Sequence, residues 1–71
     1  MEQEILKIVE TFCGHSVTPE DNLIDDLGLD SLDVIDVTMK VEKKYSIRID
    51  DAAVAHFKIV NDIIDVTKKL C

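Results

Sequence analysis

A chain of 71 residues with 15 acidic and 8 basic side chains has room for one small domain, and its formal net charge is −7. A domain of this size buries only about 60% of the surface of its unfolded chain, which argues against a deep catalytic cleft between two lobes. The acidic balance argues against nucleic acid, because binding there depends on Lys and Arg that displace counterions from phosphates. We therefore expect one domain over residues 1–71, with basic protein partners and no catalysis of its own.

The cysteines and the lengths of the apolar runs indicate in which cellular compartment the protein is expected. Cys13 and Cys71 are the two cysteines, and they form neither a disulfide framework nor a metal-ligand spacing. No basic start followed by an apolar run is present, and no apolar stretch approaches the roughly 20 residues that a membrane-spanning helix needs. We therefore expect a cytoplasmic monomer without a bound metal or a membrane span.

The first predicted helix covers residues 2–13, where apolar residues recur at the i, i+3, i+4 and i+7 spacing. Gly14 is placed to end it in a left-handed cap. The segment from Gly14 to Asp30 has no sustained period, and a structureless loop of that length in a compact domain is usually functional. Its expected aliphatic anchors are Val17, Leu23, Ile24, Leu27 and Leu29.

The second predicted helix begins at Ser31 and ends at about Tyr45. Asp30 can cap it, and Asp33 stands three residues later, as in a capping box. This helix is apolar on more than one face. Residues 46–49 alternate like a short strand, but no second strand exists to pair with them, so they are interpreted as a connector.

Two helices are predicted in the last third of the chain. A short one covers residues 52–57, capped by Asp50 or Asp51, and a longer one covers about residues 60–70. The apolar stripe of the longer helix comprises Val60, Ile63, Ile64, Thr67 and Leu70. The predicted fold class is therefore all-α, a small bundle of three principal helices plus one short helix with a long loop between the first two.

The negative charge is unevenly distributed along the chain. Residues 1–32 hold eight acids and one base, whereas residues 33–71 hold seven of each. An acidic stretch is usually a solvated face. A functional interpretation is favoured here because the acids gather around one serine, Ser31, and they include Asp25, Asp26, Asp30 and Asp33.

The segment Asn22 to Asp33, NLIDDLGLDSLD, resembles the attachment site of acyl carrier proteins. The resemblance extends over nearly the whole chain and implies that Ser31 carries a covalent 4'-phosphopantetheine, derived from coenzyme A and added by a phosphopantetheinyl transferase. It also implies that Asp30 attracts the transferase and its metal ion, while Leu32 flanks the site. The implied function is to carry acyl intermediates as thioesters to partner enzymes of fatty acid, polyketide or related biosynthesis.

In that family, partners such as acyl transferases, ketosynthases and acyl-activating enzymes dock along the second helix. The matching partner-binding residues here are Asp33, Asp36, Met39 and Lys40. Lys40, Lys43 and Lys44 depart from the acidic family pattern, which favours a specialised pathway. The apolar interior of the family can admit an acyl chain, and its matching positions are Leu23, Ile35, Val41, Ile49, Phe57 and Ile63.

Other interpretations of Ser31 remain open at this point. A helix-start serine is most often only a cap, although here Asp30 already supplies one. A peptidyl or aminoacyl carrier and an acidic interaction domain without a prosthetic group are the two alternative functions. A serine hydrolase is disfavoured, because no Gly-x-Ser-x-Gly surrounds Ser16, Ser31 or Ser46.

Overall fold

The computed structural model describes residues 2–71, which fold into four helices. They are α1 (Glu2–Cys13), α2 (Ser31–Tyr45), α3 (Asp51–Ala55) and α4 (Val60–Leu70). The described residues contain no strand, so the prediction of an all-α bundle with three principal helices and one short one is confirmed. None of these helices is long and apolar enough to cross a membrane.

The core lies where α1 packs against α2 and α4, and where α2 meets α3. Two buried hydroxyls in the core keep a hydrogen bond each. Thr38 donates to the carbonyl of Val34 at 2.9 Å, and Thr67 donates to the carbonyl of Ile63 at 2.8 Å. The apolar side chains of the core come from every part of the chain and are Ile5, Leu6, Val9, Val17, Leu23, Leu27, Leu29, Val34, Val37, Val41, Ile49, Phe57, Val60, Ile63 and Ile64.

Two aliphatic residues expected inside the bundle lie at its surface. Leu70 is the last residue of α4 and is 47% exposed, beyond the end of the packed stripe. Ile24, expected as a loop anchor, is 49% exposed because neighbouring Leu23 takes the buried position. The other four anchors of the long loop are buried as predicted.

The long loop, residues 14–30, contains no helix or strand, as predicted, and hydrogen bonds order it in addition to its aliphatic anchors. Gly14 has a φ of +81° and ends α1 in the expected left-handed cap. Farther along, the side-chain oxygen of Asn22 accepts from the amides of Ile24 at 2.9 Å and Asp25 at 2.8 Å. The amide of Asn22 in turn donates to the carboxylate of Asp26 at 2.7 Å. Polar side chains thus fold this segment into tight turns.

The same loop is joined to the start of α4 through the backbone. An isolated antiparallel bridge links Asn22 and Ile59. On either side of it, the amide of Leu23 donates to the carbonyl of Lys58 at 2.9 Å, and the amide of Val60 donates to the carbonyl of Asp21 at 3.1 Å. The bridge and the buried loop anchors together hold the segment that precedes α2.

The connector after α2 and the short helix differ partly from their predictions. Ser46 ends α2 with a φ of +55°, and the connector forms no strand, as expected. Its course is fixed by Glu42, whose carboxylate accepts from the amide of Ile49 at 2.7 Å. The short helix α3 begins one residue earlier and ends two residues earlier than predicted, because the chain leaves it through a tight turn. The Asp50 side chain forms no capping hydrogen bond there.

Candidate functional site

A glycine turn brings the chain into α2. Gly28 has a φ of +69°, a conformation that residues with a Cβ rarely adopt, and its amide donates to the carbonyl of Ile24 at 3.1 Å. The next residue, Leu29, is buried, and its amide donates to the carbonyl of Leu23. The residue that starts α2 is therefore presented from an anchored turn rather than from a free loop.

The first turn of α2 is closed by the predicted capping box. The carboxylate of Asp30 accepts from the amide of Asp33 at 2.9 Å, and the carboxylate of Asp33 accepts from the amide of Asp30 at 3.3 Å. Asp30 has the extended backbone of an N-cap residue. Both carboxylates thus stabilise the start of α2, and Asp33 is half-buried there.

Ser31 is the first residue of α2 and is exposed. In the part of the chain that the structure describes, its hydroxyl forms no hydrogen bond, because Asp30 performs the capping. The neighbouring Leu32 is 71% exposed. The hydroxyl is therefore accessible to another protein and held by a well-anchored backbone.

Acidic residues precede this hydroxyl closely in the chain. Asp25, Asp26 and Asp30 are exposed. Within residues 2–71 none of these carboxylates lies in a salt bridge, so no basic side chain there neutralises their charge. The start of a helix favours an anion through its free amides and dipole, whereas these carboxylates oppose one. The excess of negative charge near Ser31 favours contact with a basic protein surface.

A cleft of about 570 Å³ opens beside Ser31, between the first half of α2 and the short helix α3. Ser31 and Asp51 are the polar members of its lining. The rest of the lining is apolar and consists of Ile24, Val34, Ile35, Val54, Ala55 and Phe57. A flexible group on the Ser31 hydroxyl could rest an apolar portion there.

The expected acyl-lining residues fall into two groups. Ile35 was expected in the interior but is 44% exposed, because the buried face of α2 is formed by Val34 and Val37 instead. It nevertheless borders the cleft beside Ser31, as does Phe57. The remaining four lie in the packed core and not along this cleft, and they are Leu23, Val41, Ile49 and Ile63.

Sequence reasoning missed Val54 and Ala55 as members of this cleft. The short helix that carries them was predicted, but its register relative to α2 depends on the connector that Glu42 pins. The apolar run Ala52 to Ala55 was the one available signal, since a short helix with four apolar residues has to pack against a neighbour.

The expected partner-binding residues also fall into two groups, three that border a groove and one that does not. Asp36, Met39 and Lys40 are exposed and border one groove of about 670 Å³, which α2 forms with α1 and the connector. Asp33 does not border this groove and belongs to the capping box. The sequence interpretation did not assign Arg48 a role, although it lines the groove with Lys43.

The far end of α2 is tied to α1. Lys44 forms a salt bridge of 3.3 Å with Glu4, and the hydroxyl of Tyr45 donates to Glu4 at 3.1 Å. The hydrogen bond from Lys44 lowers the pKa of Glu4, with a further contribution from Tyr45. Burial raises the pKa of Tyr45, and the hydrogen bond to Glu4 raises it further. These groups lie at the opposite end of α2 from Ser31 and are structural.

Comparison with known proteins agrees with this geometry. Residues 3–66 match the protein family described as phosphopantetheine attachment site. The chain is 36% identical over 72 residues to an acyl carrier protein of Syntrophobacter fumaroxidans, with 97% of this chain and 89% of that protein covered. It is 34% identical over 76 residues to the meromycolate extension acyl carrier protein of Mycolicibacterium aurum, with 97% and 78% covered.

The fold agrees as well. A crystal structure of an acyl carrier protein from Thermotoga maritima matches with a TM-score of 0.81 at 31% identity, and the match covers 96% of this chain and 82% of that one. An accessible hydroxyl at a helix start, beside an apolar cleft, fits a long arm that ends in an acyl group. This chain belongs to the acyl carrier protein family, and it carries acyl intermediates as thioesters on a covalently attached 4'-phosphopantetheine.

Proposed function

We propose that Ser31 is the residue that bears the 4'-phosphopantetheine. The observation that supports this most strongly is its exposed hydroxyl, free of hydrogen bonds within the described residues, at the first position of α2. The other two serines lack this setting. Ser16 lies in the loop after α1, and Ser46 lies at the left-handed end of α2.

The attachment reaction needs no catalytic group from this chain, only the Ser31 hydroxyl. In the transfer, the Ser31 oxygen forms a new bond to phosphorus of coenzyme A, the nucleotide portion leaves, and the hydroxyl proton goes to a base of the transferase. The chain contributes position, because the capping box and the Gly28 turn hold the hydroxyl in place. Its uncompensated carboxylates attract a basic transferase surface and a metal ion held there.

The exposed face of α2 is proposed as the docking surface for enzymes that load, extend or remove the acyl group. Leu32, Ile35 and Met39 form an exposed apolar stripe along it. A phosphopantetheinyl transferase, acyl transferases, ketosynthases and acyl-activating enzymes are the proposed visitors. We further propose that residues 1–71 act as one non-catalytic carrier domain, and its cytoplasmic location stays a prediction from the sequence.

The cargo class follows from the family and the cleft. Membership in the acyl carrier family replaces the alternative of an interaction domain without a prosthetic group. An apolar lining beside Ser31 favours an acyl over an aminoacyl group, since six of its eight residues offer hydrocarbon contacts.

The decisive measurement is the intact mass of the chain after incubation with coenzyme A and a phosphopantetheinyl transferase. Wild type should gain one phosphopantetheine, and Ser31→Ala should gain none while it stays folded, because Asp30 retains the cap. Ser16→Ala is the matched control, since it removes another exposed hydroxyl and should be modified like wild type. Modification of Ser31→Ala would move the attachment point elsewhere.

A further inference from the structure

Most of the basic side chains of this acidic protein gather on one surface. Three grooves that share Lys40 lie side by side, between α1, the second half of α2 and the connector. We call this the basic surface, and its basic residues, five of the eight in the chain, are Lys7, Lys40, Lys43, Lys44 and Arg48.

Most of this positive charge is not neutralised within the protein. Lys44 is paired with Glu4. In residues 2–71, the other four basic residues are exposed and form no salt bridge. The carboxylate of Glu42, which also borders the surface, accepts a hydrogen bond from the amide of Ile49 in the connector.

The helix dipole explains only part of the cluster. Lys43 and Lys44 lie in the last turn of α2, where a positive charge is favourable in any helix. Lys40 lies before that turn, Arg48 lies beyond the helix, and Lys7 belongs to α1. These three residues place positive charge on the same surface from three separate elements, which the dipole of α2 does not require.

The basic surface continues into the exposed apolar stripe of α2. Met39 is 57% exposed, and it shares the largest of the three grooves with half-buried Phe12 and Ile47. Along α2 the first half carries the acids Asp33 and Asp36, and the second half carries three lysines and one acid, Glu42. The exposed apolar residues Leu32, Ile35 and Met39 lie from the start of the helix to its middle. Ten residues separate Asp33 from Lys43, which corresponds to about 15 Å of helix.

We propose that the enzymes this carrier serves dock on α2 with a surface of mixed charge, basic opposite the start of the helix and acidic opposite Lys40, Lys43 and Arg48. This deepens the proposed function, because it rests on docking along α2 and adds the chemistry of the partner. The mixed order also fixes the direction in which a partner lies on α2, since a reversed partner would meet like charges at both ends.

A protein is a better occupant than an anionic membrane. The chain carries a net charge of −7, so a membrane of the same sign repels the molecule as a whole. Two carboxylates, those of Asp36 and Glu42, also border the same groove as Lys40. A protein surface can match such alternating charges residue by residue, whereas a lipid surface of one sign cannot.

The test uses two synthetic helical peptides with the same leucine face. One carries lysines at one end and glutamates at the other, and the second carries lysines throughout. Affinities are measured for the full-length chain and for the triple variant Lys40→Glu, Lys43→Glu, Arg48→Glu. The matched control is Lys58→Glu, Lys68→Glu, Lys69→Glu, which changes the net charge equally and alters the three basic residues outside the basic surface.

The quantity to compare is the ratio of the two peptide affinities. Three lost or reversed surface contacts should shift this ratio about tenfold towards the all-lysine peptide in the Lys40 triple variant. The control variant should keep the wild-type ratio, and circular dichroism checks that both variants fold. An equal shift in both variants would reduce the effect to net charge and overturn the proposal.

Phosphatidylglycerol vesicles supply the second arm. Wild type should remain unbound, and binding that the Lys40 triple variant loses would assign the basic surface to a membrane and overturn the proposal. The mass gain of wild-type chain with coenzyme A is scored separately. An error about Ser31 would appear there, whereas an error about the basic surface would appear only in the peptide ratios and vesicle binding.

Discussion

The two apolar faces of α2 have opposite surroundings although they are built from similar residues. Val34, Val37 and Val41 are buried against the rest of the bundle. Leu32 and Met39, which are larger and equally apolar, are more than half exposed. A helix that served only the core would carry polar residues on its outer face. The exposed apolar stripe therefore supports the proposal that partner enzymes dock on this face of α2.

The same contrast occurs within the long loop. Leu23 is fully buried and anchors the loop, whereas its neighbour Ile24 is half exposed and borders the cleft beside Ser31. In both places an apolar residue inside the core holds the site, and an apolar residue outside is available to contact a cargo or a partner. Substitutions in pairs across this division test it directly.

The largest effect is expected for Val37→Asp. Val37 is fully buried, and a carboxylate placed there loses its hydration without gaining a partner, which costs several kcal/mol. A domain of this size has about that much stability in total, so the variant should be unfolded. Met39→Asp should fold like wild type and should weaken partner docking only. Circular dichroism and thermal unfolding distinguish them, and a folded Val37→Asp would contradict the assigned core.

A smaller effect is expected in the loop. Leu23→Ala should lower the free energy of unfolding by about 2–5 kcal/mol, because it leaves a cavity in the core. Ile24→Ala should lower it by about 0.5 kcal/mol or less. Urea unfolding measures both. Similar losses for the two variants would show that the loop is held differently from the packing described above.

Two substitutions of Asp30 distinguish its capping role from the effect of its charge. Asp30→Ala removes the cap of α2 and should cost about 1 kcal/mol, together with slower modification by the transferase. Asp30→Asn keeps a capping oxygen and removes the charge. If the charge attracts the transferase, this variant should be nearly as stable as wild type and still be modified slowly. Wild-type modification kinetics for Asp30→Asn would confine Asp30 to its capping role.

The smallest effect on stability is expected at the C-terminal end of α2, where Glu4 forms a salt bridge with Lys44 and accepts a hydrogen bond from Tyr45. The pKa of Glu4 is lowered from its ordinary value of 4.5 in the folded protein. Its interactions therefore add stability above the unfolded pKa and lose it as pH falls through the folded value. Glu4→Gln should flatten the decline in unfolding free energy as the pH falls below about 4.5, as measured with urea. An unchanged decline would remove Glu4 from the acid response.

Sequence alone determined the parts of this protein that depend on local interactions. Gly14 takes the positive φ expected of it, and the capping box of Asp30 and Asp33 forms at the start of α2. These features follow from neighbours within four residues, so periodicity and capping residues were sufficient to place α1, α2, α4 and Ser31. The resemblance of the segment from Asn22 to Asp33 then supplied the family, which the comparisons confirm.

Only the tertiary structure decided which of several equivalent aliphatic residues lie inside. Nothing local distinguishes Ile35 from Val34, or Ile24 from Leu23, and their exposure depends on how α2 and the loop meet the other elements. The basic surface is a tertiary feature for the same reason, since Lys7 and Arg48 are distant in sequence from Lys40. They meet only because α1 and α2 pack together and Glu42 holds the connector against the end of α2.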